Sequence, residues 1–127
     1  MREFLLVCLG GALGTGARYL VSIWALQTLG AGFPWGTFLV NAVGSYLLAL
    51  VMFAGVEAAA MPPALRLALS TGVMGGLTTY STFSFETMRY LQQGEWGLAA
   101  ANVAATVTVC LAACLGGWAT GRWLFGG

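Results

Sequence analysis

Thr37, Asn41 and Ser45 recur every four residues in an apolar stretch, and Asn102, Thr106 and Cys110 repeat that spacing further along the chain. On a helix this spacing puts each trio on one face. Between them lies Gly75-Gly76-Leu77-Thr78-Thr79-Tyr80-Ser81-Thr82-Phe83-Ser84-Phe85, with two glycines, five hydroxyls from Ser and Thr and three aromatic rings in an otherwise oily segment. Hydroxyl and carboxamide groups donate hydrogen bonds without carrying charge. Aromatic rings present a positive edge, and Tyr80 and Phe83, three residues apart, share a face wherever the chain is helical. Such groups suit a small, strongly hydrated anion that must shed water. Interhelical bonding, at about 0.6 kcal/mol per contact, accounts equally well for any single hydroxyl.

Charge is the other half of the pattern. The chain has no lysine and no histidine, and positions 4–29 hold no carboxylate. A proton-coupled exporter needs an intramembrane acid that alternates between proton and substrate. Only Glu86 offers one, and Arg89 at i+3 equally suits an ion pair at a helix end. Arg18 lies past the middle of its apolar segment, where it can snorkel to the interface or attract an anion into a vestibule. Neutral donors with few charges favour an anion over a bulky organic cation.

The elements that must position these groups are membrane helices. Of 127 residues, 59% are hydrophobic and 7% charged, with a mean hydropathy of +0.84, which is far from soluble domains. A span takes about 20 apolar residues, so one all-α integral membrane domain, 1–127, with four crossings is expected. They fall at about 4–29, 35–56, 64–93 and 96–124, separated by Gly30-Ala31-Gly32-Phe33-Pro34, by Glu57 through Pro63, and by Gly94-Glu95. Irregular backbone at membrane depth survives only where protein or a cavity borders it. The third crossing is therefore read as a helix broken near Gly75–Thr79 that resumes at Tyr80. The N-terminal segment outruns a signal h-region and is read as a permanent span.

Arg2, Arg66 and Arg122 fall on one side against Arg89 on the other, a weak bias of the kind that insertion in both directions requires. Gly10-x-x-x-Gly14, Gly72-x-x-x-Gly76 and Gly117-x-x-x-Gly121 imply close helix packing. Four short helices enclose little, so a homo-oligomer is expected. A formal charge of +1 argues against a nucleic-acid partner. Cys8, Cys110 and Cys114 are read as packing residues, being odd in number and unaccompanied by histidine.

Three motifs carry a family resemblance. GGALGTGARY at 10–19, WGTFLVNAVGSY at 35–46 and GGLTTYSTFSFE at 75–86 resemble, in order and spacing, the Fluc (CrcB) family of fluoride channels. The resemblance implies a passive, fluoride-selective channel that exports fluoride across a bacterial-type plasma (inner) membrane, with no enzymatic step. It further implies a dual-topology homodimer of antiparallel subunits in the lipid bilayer, with a structural sodium ion at its centre.

By position, Asn41 matches the family's pore-lining asparagine and Thr37 the threonine one turn before it. Tyr80 and Phe83 match the aromatic positions whose ring edges line the path, with Ser81 and Thr82 on a polar track beside them. Gly75 and Thr78 match the break whose backbone carbonyls hold sodium. Thr106 stands opposite on the fourth span, and Arg18 and Glu86 match residues of vestibular or structural role. The chain departs from the family at Tyr80, usually phenylalanine, and so gains a hydroxyl. The contending reading is a proton-coupled exporter resembling the small multidrug resistance family, whose first-span glutamate has no counterpart here. A third is a membrane assembly protein that transports nothing.

Overall fold

The computed structural model describes all 127 residues, Met1–Gly127, and is all-helical. Helix α1 covers Arg2–Leu29 and α2 covers Trp35–Glu57, its last turn wound as a π-helix. Helix α3 spans 63–77: it opens at Pro63, widens into a π-helix over Ala68–Met74 and ends in the turn Gly75–Leu77. Proline suits that first position because its missing N–H would have no partner there anyway. Helix α4 is Tyr80–Gln92 and α5 is Trp96–Phe125. The expected spans and these helices agree closely at their ends. The π-helical stretches are new, and the second lies where Gly72 presses on the backbone of Val7 and Gly10.

Helices α1, α2 and α5 are long and apolar enough to cross a membrane. Helix α4 has 13 residues, roughly 20 Å at about 1.5 Å per residue, which is short of a hydrocarbon core of about 30 Å. Contacts along α2 show that α3 and α4 continue one another. Gly55 meets Arg66, Gly44 meets Thr78, Asn41 bonds to Thr79, and Thr37 lies beside Glu86. Numbers fall on α2 as they rise through α3 and α4, so the pair runs antiparallel to α2. Helix α1 runs parallel to α3, with Gly10 on Ala68 and Gly72, Gly14 on Val73, and Arg18 on Gly76. Helix α5 runs parallel to α2, with Tyr46 on Gly117 and Phe53 on Gly121. Direction thus alternates along the chain, as the short loops require.

Lipid tails are as apolar as leucine, so helices in a bilayer associate through close packing rather than by burying oily side chains. The surfaces follow that rule. Only 19 of 127 residues are buried, while Leu13 and Leu115 expose 71% and 73%. The buried positions of α1 are Gly10, Gly14 and Ala25. Each glycine pair singled out above lies at a helix contact: a Cβ at Gly10 would come 2.6 Å from Ala68 O, and one at Gly76 would come 2.5 Å from Gly11 O. A Cβ at Gly117 would collide with Tyr46 O. The cysteines depart from expectation. Cys8 and Cys114 are exposed on the outer surface, and only Cys110 is partly enclosed.

Gly14 and Gly16 give a matched test, since a Cβ at Gly14 would collide with Val73 O and one at Gly16 meets nothing within 4 Å. Gly14→Ala should lower stability in detergent by about 2 kcal/mol through overpacking. Gly16→Ala should be neutral or slightly stabilising through helix propensity. Thermal unfolding of the two variants measures the contrast.

Candidate functional site

The break is confined to two residues. Thr78 (φ −86°, ψ 156°) and Thr79 (φ −152°, ψ 117°) are extended between the last turn of α3 and the start of α4. Paired glycines and β-branched threonines are poor helix formers, so the sequence weakens the helix here. Gly44 leaves room for Thr78, whose Cγ2 a Cβ at position 44 would strike.

Extended backbone at membrane depth must find partners for its polar groups, and three neighbours supply them. The Asn41 carboxamide meets Thr79 at two points: Thr79 N–H donates to Asn41 Oδ1 at 2.8 Å, and Asn41 Nδ2 donates to Thr79 O at 3.1 Å. Arg18 Nε donates to Gly76 O at 2.9 Å. Thr79 Oγ1 caps α4 by accepting from Thr82 N–H at 3.3 Å, and it donates to Thr82 Oγ1 at 3.1 Å. Thr78 turns both its N–H and its hydroxyl back to Met74 O. The carbonyls of Gly75 and Thr78 receive no donor. Arg18 thus ties α1 to the end of α3 through its Nε–H.

Two cavities flank α4, and one of them takes in the break. The outer one, about 490 Å³, is lined among others by Ser22, Thr37, Thr82, Glu86, Arg89 and Tyr90. The other, called inner because it takes in the break, is about 400 Å³ and is lined by Asn41, Ser45, Tyr80, Phe83, Thr106 and Cys110 among others. Thr37 and Asn41 are one helical turn apart on α2, and Thr82 and Phe83 are neighbours on α4, so the two linings come within a turn of each other on both helices. The Tyr80 and Phe83 rings are 5.8 Å apart and tilted by 55°. Phe83 is buried, whereas Tyr80 is 80% exposed.

Each hydroxyl carries one proton, and most are already committed. Ser45 donates to Asn41 O at 2.7 Å, so the ladder of donors on α2 stops at Asn41. Serine in an apolar helix commonly bonds back to the carbonyl four residues earlier. Thr106 donates to Asn102 Oδ1 at 3.2 Å. Donors without a hydrogen bond that line the cavities include the hydroxyls of Ser22, Thr37, Thr82 and Tyr80 and the second N–H of Asn41. Ser81 lies at the exposed edge, 3.4 Å from Thr79 Oγ1. Glu86 forms no ion pair with Arg89; it sits near Thr37 with Oε1 buried and without a hydrogen-bond partner.

Thr87 escaped the sequence reading. It donates to Phe83 O at 2.8 Å and accepts from Asn102 Nδ2 at 3.0 Å. Its place one turn after Phe83 was the available signal.

An all-helical protein with three helices apolar enough to cross a membrane, and with a helix pair interrupted at Thr78 and Thr79 beside two cavities, is the class that this fold and site define. The chain belongs to the family described as CrcB-like protein, Camphor Resistance (CrcB), whose family model matches residues 5–118. It is 56% identical over 126 residues to a protein of Anaeromyxobacter dehalogenans named "Fluoride-specific ion channel FluC", covering 99% of this chain and all of the relative. Proteins of the same name from Sorangium cellulosum and Geobacter metallireducens are 46% and 47% identical, covering 100% and 98% of this chain and all of each relative.

Asn41→Leu removes both bonds to Thr79 and leaves two peptide groups without partners. Amide exchange at Thr79 should accelerate by at least about tenfold, given about 1–3 kcal/mol for each buried group left unsatisfied. Exchange at the mid-helix amide of Val40 should stay unchanged.

Proposed function

We propose that this protein is a passive fluoride channel, working as an antiparallel, dual-topology homodimer in a bacterial-type inner membrane. One observation carries the reading: two cavities flank the broken crossing and are lined by hydroxyl and carboxamide donors, while positions 4–29 hold no carboxylate to exchange protons. The relatives' shared name supplies the ion. Fluoride enters the outer cavity, where Thr37 and Thr82 begin to replace its water. It then passes to the free Asn41 N–H and the ring edges of Phe83 and Tyr80, with Ser81 beside the track. Arg18 and Arg89 are the nearby positive charges, and Arg18 acts through the break. Several weak contacts in series let the ion leave as readily as it enters. The flow runs down the fluoride gradient and needs no energy source.

The dimer reading rests on the inner cavity, which lies open at the surface beside exposed Tyr80 and Leu111. A second copy seated there would enclose both. The sodium reading rests on the Gly75 and Thr78 carbonyls, which have no donor. Carbonyl oxygens released by an interrupted helix are hard ligands suited to such a cation, and bound there it would neutralise the dipoles of the break. Tyr80 keeps a ring edge and adds a donor to it.

Efflux from liposomes containing the purified protein, followed with a fluoride electrode alongside chloride, tests this function. Rapid fluoride release without chloride release, and independent of a proton gradient, is the expected result. Release that requires a proton gradient, or silence from well-folded protein, would overturn it.

A further inference from the structure

Asn102 is the most deeply buried polar side chain in the protein at 1% exposure, yet it lines neither cavity. Its carboxamide stands in a directed chain of hydrogen bonds between α5 and α4. Thr106 donates to Asn102 Oδ1 at 3.2 Å, Asn102 Nδ2 donates to Thr87 Oγ1 at 3.0 Å, and Thr87 donates to Phe83 O at 2.8 Å. Only Thr106 and Phe83, the two ends, line the inner cavity. A buried carboxamide has two donors and two acceptor sites, and here one N–H has no partner. A group used only to join two helices would not need that cost.

The direction of the chain has a chemical consequence. As it stands, Thr106 spends its single proton on Asn102 and turns only lone pairs toward the cavity, which repels an anion. Turning the carboxamide over by half a rotation exchanges its ends. Thr87 then donates to Asn102 Oδ1 instead of Phe83 O, Asn102 Nδ2 donates to Thr106 Oγ1, and the Thr106 proton points into the cavity. No bond is broken without another forming, apart from the one to Phe83 O, which the helix amide behind it can still satisfy.

We propose that Asn102 is a positioning residue whose carboxamide, anchored by Thr87, sets whether Thr106 offers a passing fluoride a proton or a lone pair. This rests on the fluoride-channel reading and deepens it. The test therefore begins from wild-type protein already shown to release fluoride, so failure of that reading appears before any variant is made.

Thr87 is the residue to change, because it touches neither cavity and valine has its shape. Thr87→Val should lower fluoride efflux about tenfold, the effect of leaving one buried donor without a partner, while Thr87→Ser should stay within about twofold of wild type. Thr106→Val should also slow efflux, and adding Thr87→Val to it should cost nothing more, because both act through the Thr106 hydroxyl. Wild-type efflux from Thr87→Val would overturn the proposal. So would additive losses in the double variant, which would mark the chain as interhelical bonding alone. If Thr87→Val does not fold, equal efflux from Asn102→Leu and wild type would overturn it as well.

Discussion

The two-point bond between the Asn41 carboxamide and the Thr79 peptide is the constraint on which the other features of this protein depend. An extended residue in the middle of a membrane has no water to satisfy it, and each unpaired peptide group costs several kcal/mol there. Asn41 answers with a short carboxamide, which donates and accepts in a single plane. Arg18 takes the Gly76 carbonyl near the end of α3, and Thr79 caps α4 with its own hydroxyl. With those three in place, the third crossing can stop being a helix for two residues without unravelling.

The surrounding sequence serves that geometry. Gly44 makes room for Thr78, and Gly10, Gly14 and Gly76 bring α1 close enough for Arg18 to reach Gly76. The π-helical stretch ahead of the break falls where α1 and α3 pack backbone on backbone. Beyond the break, α4 begins on Tyr80, so its first turn carries Thr82 and Phe83 to opposite cavities. Asn41 contributes to both the structure and the path: one N–H and its oxygen hold Thr79, and the remaining N–H faces the inner cavity. A carboxylate would lose the donor bond to Thr79 O and set charge against charge.

Much of this was legible in the sequence, for identifiable reasons. Hydropathy and the loop glycines and prolines located the helical segments, three of them long and apolar enough to cross a membrane, because a span of fixed thickness leaves little freedom in length. Gly75-Gly76 followed by Thr78-Thr79 marked the break, since both pairs disfavour a helix. Bonding partners were not legible. Spacing placed Thr37, Asn41 and Ser45 on one face, but Asn41 faces a peptide 38 positions away and Ser45 spends its proton on its own helix. Arg18 looked like an isolated charge because its partner is a backbone carbonyl, which leaves no trace in side-chain patterns. Thr87 was overlooked for the same reason, its importance coming from Asn102 across the bundle.

The most direct measurement is a high-resolution structure of the protein in lipid with fluoride present. Anion density should appear between the two cavities, about 3 Å from the Thr82 hydroxyl and the free Asn41 N–H, with Asn41 still paired to Thr79. Density placed away from these donors, or an Asn41 turned off Thr79 while α4 keeps its position, would contradict the claim that a clamped break builds the path.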